Sequence, residues 1–143
     1  MAYYGFAQKI MKGEEIQLFN DGDMYRDFTY VDDIVEGISR LLDKPPMAHA
    51  PAVPRRILNI GNSAPVYMKD FIALMEEKLG KKAIIRSMPM QDTDVYNTYA
   101  DVSALENLTG YHPQTTISDG LDRFLGWLVP RYARNDNASL RSE

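Results

Sequence analysis

The sequence predicts an α/β fold of short strands with about four helices, on three observations. Ile16, Leu18 and Phe19 form a short apolar run that stops at Asn20-Asp21-Gly22-Asp23, the composition of a strand meeting a turn. Tyr25 to Tyr30 alternates aromatic or β-branched residues with polar ones, and the period then changes, with Ile34, Ile38 and Leu41 spaced for one face of a helix. Further stretches of helical period alternate with short apolar runs through the rest of the chain.

Taken in order, Ala2 to Lys12 places Phe6, Ala7, Ile10 and Met11 on one helical face, with Gly13 as its stop. The strand, turn and strand of residues 16 to 30 follow, and then a helix whose first turn holds Asp32 and Asp33, where carboxylates complement the unpaired N–H groups. Asp43 to Arg56 contains Pro45, Pro46, Pro51 and Pro54, which predicts a mobile surface loop. Ile57 to Ile60 reads as a short strand, and Lys69 to Leu79 as a second amphipathic helix closing on Gly80. Ala83 to Met88 reads as a strand, followed by a polar loop from Gln91 to Asn97. Asp101 is placed to cap a short helix through Leu105 and Leu108 that Gly110 ends. Ile117, Leu121, Phe124, Leu125 and Leu128 mark a final helix, with a break expected near Pro130 and a disordered polar tail over 133–143.

Composition narrows the function. With 143 residues the chain is one domain or a piece of one. A net charge of -4, from 16 basic and 20 acidic residues without a long single-sign run, gives no footprint for nucleic acid or an anionic membrane. The absence of cysteine excludes disulfides, thiolate metal sites and cysteine nucleophiles. The N-terminal stretch lacks the basic start and apolar core of a signal peptide, and no stretch approaches a membrane span, so a cytoplasmic location is expected.

Among polar candidates, Arg26 offers a planar fork of donors beside a helix start. It can clamp a phosphate or pair with Asp27, Asp23 or another carboxylate at the surface, and local sequence favours the ion pair. Phe19 can be a stacking platform or a strand-end core residue, and local sequence favours the core. Adjacent side chains at Asp32 and Asp33 diverge by about 100° on a helix, which suits capping better than a paired-carboxylate site. Asn20 to Asp23 resembles a calcium loop for four residues but lacks its later ligands. Neither His49 nor His112 has a partner set for a metal or a triad.

The order of Phe19, Gly22, Arg26-Asp27-Phe28 and Tyr30-Val31-Asp32-Asp33-Ile34 resembles the C-terminal part of extended short-chain dehydrogenase/reductases acting on nucleotide sugars. Among these it is most similar to bacterial UDP-glucuronate 4-epimerases of the NAD-dependent epimerase/dehydratase family. Leu58-Asn59-Ile60-Gly61-Asn62-Ser63, Asp70-Phe71-Ile72, Leu79-Gly80-Lys81-Lys82, Met90-Gln91 with Asp94-Val95, Tyr99-Ala100-Asp101, and Gly110-Tyr111 with Pro113 continue the match in order. The resemblance implies a nucleotide-sugar-binding part over 1–132 that lacks the N-terminal Rossmann core. It implies a UDP-sugar as partner, with Arg26 on the diphosphate, Phe19 beside uracil, and Gln91 and Asp94 on the phosphate and ribose side. The glucuronate branch commonly reads Gln-Pro-Gly-Asp in that last loop, whereas this chain reads Gln91-Asp92-Thr93-Asp94, which changes the turn.

Two signatures of the whole family are missing. A dinucleotide site needs a glycine-rich turn between a strand and a helix, and the sequence has none. The family's catalytic tyrosine carries a lysine four residues later; no tyrosine here does, and Tyr67 has Phe71 at that position. The expectation is therefore a fragment without catalytic residues of its own. NAD serves the intact enzyme, which would epimerise UDP-glucuronate to UDP-galacturonate through a 4-keto intermediate, and none binds this chain alone. Alternatives are a non-catalytic nucleotide-sugar-binding or regulatory module, or the same part of a dehydratase or decarboxylase. Apolar surface left by the missing half, with Ile57 to Ile60 extending an absent parallel sheet, implies self-association.

Overall fold

The computed structural model describes residues 2–47 and 53–139. Along the chain run α1 (Ala2–Lys12), β1 (Glu15–Phe19), β2 (Tyr25–Asp27), α2 (Val31–Leu41), β3 (Pro65–Tyr67), α3 (Met68–Leu79), β4 (Ile84–Met88), α4 (Ser103–Thr109) and α5 (Ile117–Ser139), with a single 3-10 turn at Asn20–Gly22. The class is α/β with short strands, as expected, and the described residues form five helices where about four are predicted. These elements form two compact units, one of Met1–Asp23, Met68–Asp94 and Thr116–Glu143, the other of Met24–Tyr67 and Val95–Thr115.

Unit 1 is organised by β1 and β4, which pair in parallel from Glu15 opposite Ile84 to Phe19 opposite Met88. Helical spacing buries Ala7 and Ile10 of α1, Met68, Phe71, Ile72 and Met75 of α3, and Leu121, Leu125 and Leu128 of α5, together with Ile16 and Leu18 of β1. A fully buried Phe or Leu contributes roughly 1.5–3 kcal/mol by leaving water, so these stripes hold the unit. Gly80 ends α3 at φ 63, a left-handed conformation that costs a side-chain-bearing residue more.

Helix α5 corrects the expected break near Pro130, because it runs through Pro130 to Ser139; of the tail expected over 133–143, residues 140–143 lie outside the described residues. A proline removes one backbone bond and presses on the carbonyl four residues back. That residue is Gly126, which has nothing within 4 Å of where a Cβ would stand, leaving its backbone room to tilt. A helix already three turns long also extends at less cost than a new one nucleates.

Unit 2 pairs β2 and β3 antiparallel, with Tyr25 opposite Tyr67 and Asp27 opposite Pro65, and Tyr25 also bridges to Asn97. Its apolar interior consists of Met24, Val102 and Leu105 among the described residues. Strand β2 stops at Asp27 rather than reaching Tyr30. The apolar run at Ile57–Ile60 is not a strand, because no described strand of unit 2 pairs with it, and Ile57 stands 92% exposed. The described parts of the proline-rich stretch, 43–47 and 53–56, carry no helix or strand; His49 and Pro51 lie outside the described residues. Asp101 accepts the Ser103 N–H at 3.0 Å, so it serves the start of α4 as its sequence position implies.

Candidate functional site

Arg26 sits mid-strand in β2 and is half-buried. Its Nη1 donates to the Tyr25 carbonyl at 2.8 Å and to the Tyr96 carbonyl at 3.4 Å. The Tyr96 carbonyl is itself held by the Tyr25 N–H at 2.9 Å, and the Thr98 N–H donates to the Tyr25 carbonyl at 3.3 Å. Tyr25 packs against Tyr67 at 5.1 Å and Tyr96 at 6.0 Å between ring centres. The guanidinium is therefore oriented by backbone carbonyls and forms no ion pair among the described residues, so pairing with Asp27 or Asp23 does not occur. A guanidinium has five N–H donors, and the Tyr25 and Tyr96 carbonyls engage Nη1 alone, leaving donors for an anion's oxygens.

Asp27 faces a different set of partners. Its Oδ2 accepts the Ser63 N–H at 3.1 Å and the Ala100 N–H at 3.0 Å, its Oδ1 accepts the Ala64 N–H at 3.5 Å, and its own N–H donates to Thr98 Oγ1 at 2.9 Å. Ser63 Oγ donates to the Ala100 carbonyl at 2.5 Å, tying the same two segments together. Gly61 fits between them because a Cβ there would collide with Ala100 and come within 3.2 Å of Asp27 Oδ2.

In unit 1, Phe19 closes β1 opposite Met88, so both parallel strands end at one edge. Asn20, Asp21 and Gly22 follow at φ 49, 52 and 73, three left-handed residues in a row that turn the chain sharply after Phe19. Asp21 is fixed there by Ser87 Oγ at 2.7 Å and Lys69 Nζ at 3.4 Å, and these partners hold its carboxyl below the usual carboxylate range. The loop after β4 carries Gln91, exposed, and Asp94, half-buried, with the Asp94 N–H donating to the Gln91 carbonyl at 3.0 Å. Phe19, Gln91 and Asp94 thus follow or end the two parallel strands of unit 1, where open parallel sheets bind ligands, while Arg26 belongs to unit 2. No group of three acidic or histidine side chains placed to hold a metal occurs among the described residues.

Asp33 departs from the expected role of a helix cap. It is 8% exposed and accepts from Tyr111 Oη at 2.8 Å, from the Thr115 N–H at 3.1 Å and from the Gln114 N–H at 3.5 Å. Burial pushes its carboxyl up, but the Thr115, Tyr111 and Gln114 hydrogen bonds outweigh this and leave it lowered. The Tyr111 hydroxyl is pushed up to about 12 by burial and then by Asp33. Arg40 lies over the Tyr111 ring at 4.8 Å. This carboxylate anchors the segment after α4 to α2, and the signals for it, Tyr111 and the turn residues after Gly110, lie far away in sequence.

A family model, described as NAD dependent epimerase/dehydratase family, matches residues 3–61. An uncharacterized protein of Methanocaldococcus jannaschii is 47% identical over 90% of this chain and 37% of its own length. A probable UDP-glucuronate 4-epimerase of Rhizobium meliloti is 36% identical over 94% of this chain and 43% of its own. The crystal structure of UDP-glucuronic acid 4-epimerase from Bacillus cereus, in complex with UDP-glucuronic acid and NAD, superposes at a TM-score of 0.74 with 28% identity over 85% of this chain and 37% of that one. The chain therefore spans about two-fifths of the length of these relatives.

NAD is bound in that relative, and two strand-to-helix connections of this chain lack the form of a dinucleotide cradle. Strand β2 reaches α2 through Phe28-Thr29-Tyr30, and β3 passes directly into α3, so neither turn offers the glycines through which backbone approaches a pyrophosphate. Among the described residues no helix is long and apolar enough to cross a membrane.

Proposed function

We propose that the chain belongs to the NAD dependent epimerase/dehydratase family, corresponds to the C-terminal portion of its longer relatives, and is the nucleotide-sugar-binding part of a UDP-glucuronate 4-epimerase. Arg26 binds the diphosphate, Phe19 stacks on uracil, and Gln91 and Asp94 take the phosphate and ribose side. The observation that carries this reading is Arg26: its fork is aimed by two carbonyls, forms no ion pair among the described residues, and retains donors for phosphate oxygens. The chain supplies no dinucleotide cradle and no tyrosine–lysine pair, so by this reading it is inactive by itself and binds no NAD.

Calorimetric titration with UDP, UDP-glucuronate and UDP-galactose tests the proposal, with Arg26→Ala as control. Uridine-diphosphate binding that Arg26→Ala weakens by about tenfold or more supports it, since a charge-assisted bond contributes about 1.5–3 kcal/mol. Heat of equal size in the variant would overturn it.

The same reading includes self-association. Val31, Val35 and Ile38 recur at helical spacing along α2, with Leu42 just past its end, and stand 50% to 77% exposed; Ile57, farther along the chain, is exposed as well. Sedimentation should show concentration-dependent association that Val35→Lys with Ile38→Lys abolishes. A monomer at all concentrations would contradict it.

A further inference from the structure

From the bonding around β2 we infer that Asp27 is a positioning residue for Arg26, acting through the two segments its carboxylate clamps. The inference rests on the reading of Arg26 as the diphosphate ligand. Successive residues of a strand point to opposite faces, so Asp27 works behind the strand from which Arg26 projects. Its two oxygens accept three backbone N–H groups, from Ser63, Ala64 and Ala100, and its own N–H is taken by Thr98 Oγ1. The segment leading into Ala100 is the one that supplies the Tyr96 carbonyl to Arg26 Nη1. The carboxylate therefore does two things for its neighbour. It fixes the Tyr96–Ala100 segment whose carbonyl orients the guanidinium, and it spends its own lone pairs on backbone donors instead of on the arginine.

Charge by itself argues the opposite sign. A carboxylate beside an anion-binding arginine repels the anion, so its neutralisation should strengthen binding if it did nothing else. Positioning requires that Asp27→Asn weakens binding. An amide can satisfy one side of the clamp with its oxygen but turns an N–H₂ toward the backbone donors on the other.

The test compares UDP and uridine binding to the full chain, wild type, Asp27→Asn, Arg26→Ala and the double variant. We expect Asp27→Asn to weaken UDP by about five- to tenfold, to leave uridine within about twofold, and to add nothing in the Arg26→Ala background. Equal loss for uridine and UDP, additivity with Arg26→Ala, or tighter UDP binding would each overturn the inference. If wild type binds no UDP, the proposed function fails, and the positioning role is decided by the Arg26 Nε–H resonance: a shift in Asp27→Asn supports it, and an unchanged resonance overturns it. Amide exchange at Ser63 and Ala100, accelerated in a folded Asp27→Asn protein, separates an opened clamp from global unfolding.

Discussion

Unit 1 and unit 2 are held by different means. Unit 1 buries apolar side chains from α1, β1, α3 and α5 around Phe71 and Ile10, the usual solution for helices on a parallel strand pair. Unit 2 buries Met24, Val102 and Leu105 and leaves Val31, Val35, Ile38 and Ile57 exposed, and two carboxylates, Asp27 and Asp33, gather backbone N–H groups from its loops. Hydrogen-bonded hubs fix loop geometry closely while contributing less net free energy than a packed core. The segment carrying Arg26 is thus ordered by hydrogen bonds to a carboxylate, and the difference between the units can be broken open by substitution.

The largest effect should come from unit 1. Phe71, 1% exposed, leaves a cavity on replacement by alanine, and Phe71→Ala should cost about 3–5 kcal/mol in denaturant unfolding. In unit 2, Asp33→Ala leaves the Tyr111 hydroxyl and the Thr115 and Gln114 N–H groups without their acceptor and should cost about 2–3 kcal/mol. Amide exchange at Thr115 should rise far more than at Ile16. Equal exchange changes in the two units would dissolve the contrast drawn between them.

The pH dependence sharpens it further. Asp33 has a lowered pKa in the folded chain, so its contribution is present above the ordinary aspartate value near 3.8 and is lost as pH falls below that value. Tyr111 holds its proton up to about 12 in the folded chain against 10.0 ordinarily, so its contribution is complete below 10 and is lost as pH rises from 10 to 12. Near-ultraviolet spectra and exchange at Gln114 and Thr115 should therefore change at both extremes, ahead of the core amides of unit 1. Tyr111→Phe should remove the alkaline step. The smallest effect belongs to α2: Val35→Lys should change monomer stability by less than about 0.5 kcal/mol, since the side chain is 55% exposed, while weakening self-association.

The helices were legible because each depends on its own spacing. Ile10 and Ala7, or Phe71 and Met75, declare a buried face within one turn. The hubs were not legible, since Ser63 and Ala100 lie 36 and 73 residues from Asp27, and Thr115 lies 82 from Asp33. Nothing local distinguishes such a carboxylate from a helix cap or a surface ion pair. Ile57–Ile60 has strand composition without a strand partner, and pairing rather than propensity decides a strand. Of the candidate site, the donors of Arg26 can be read from its residue type, but the carbonyls of Tyr25 and Tyr96 that aim it have no signature. Phe19 owes its position at a strand end to the β1–β4 register, which only the parallel pairing reveals.

The most direct single measurement is the amide and arginine-side-chain NMR spectrum of the chain titrated with UDP. The account predicts saturable shifts at Arg26, including its Nε–H, and at the amides of Tyr25, Asn97 and Thr98, with further shifts at Phe19 and Asp94. A folded chain whose Arg26 signals stay fixed while UDP is added, or whose shifts fall only on α5, would contradict it.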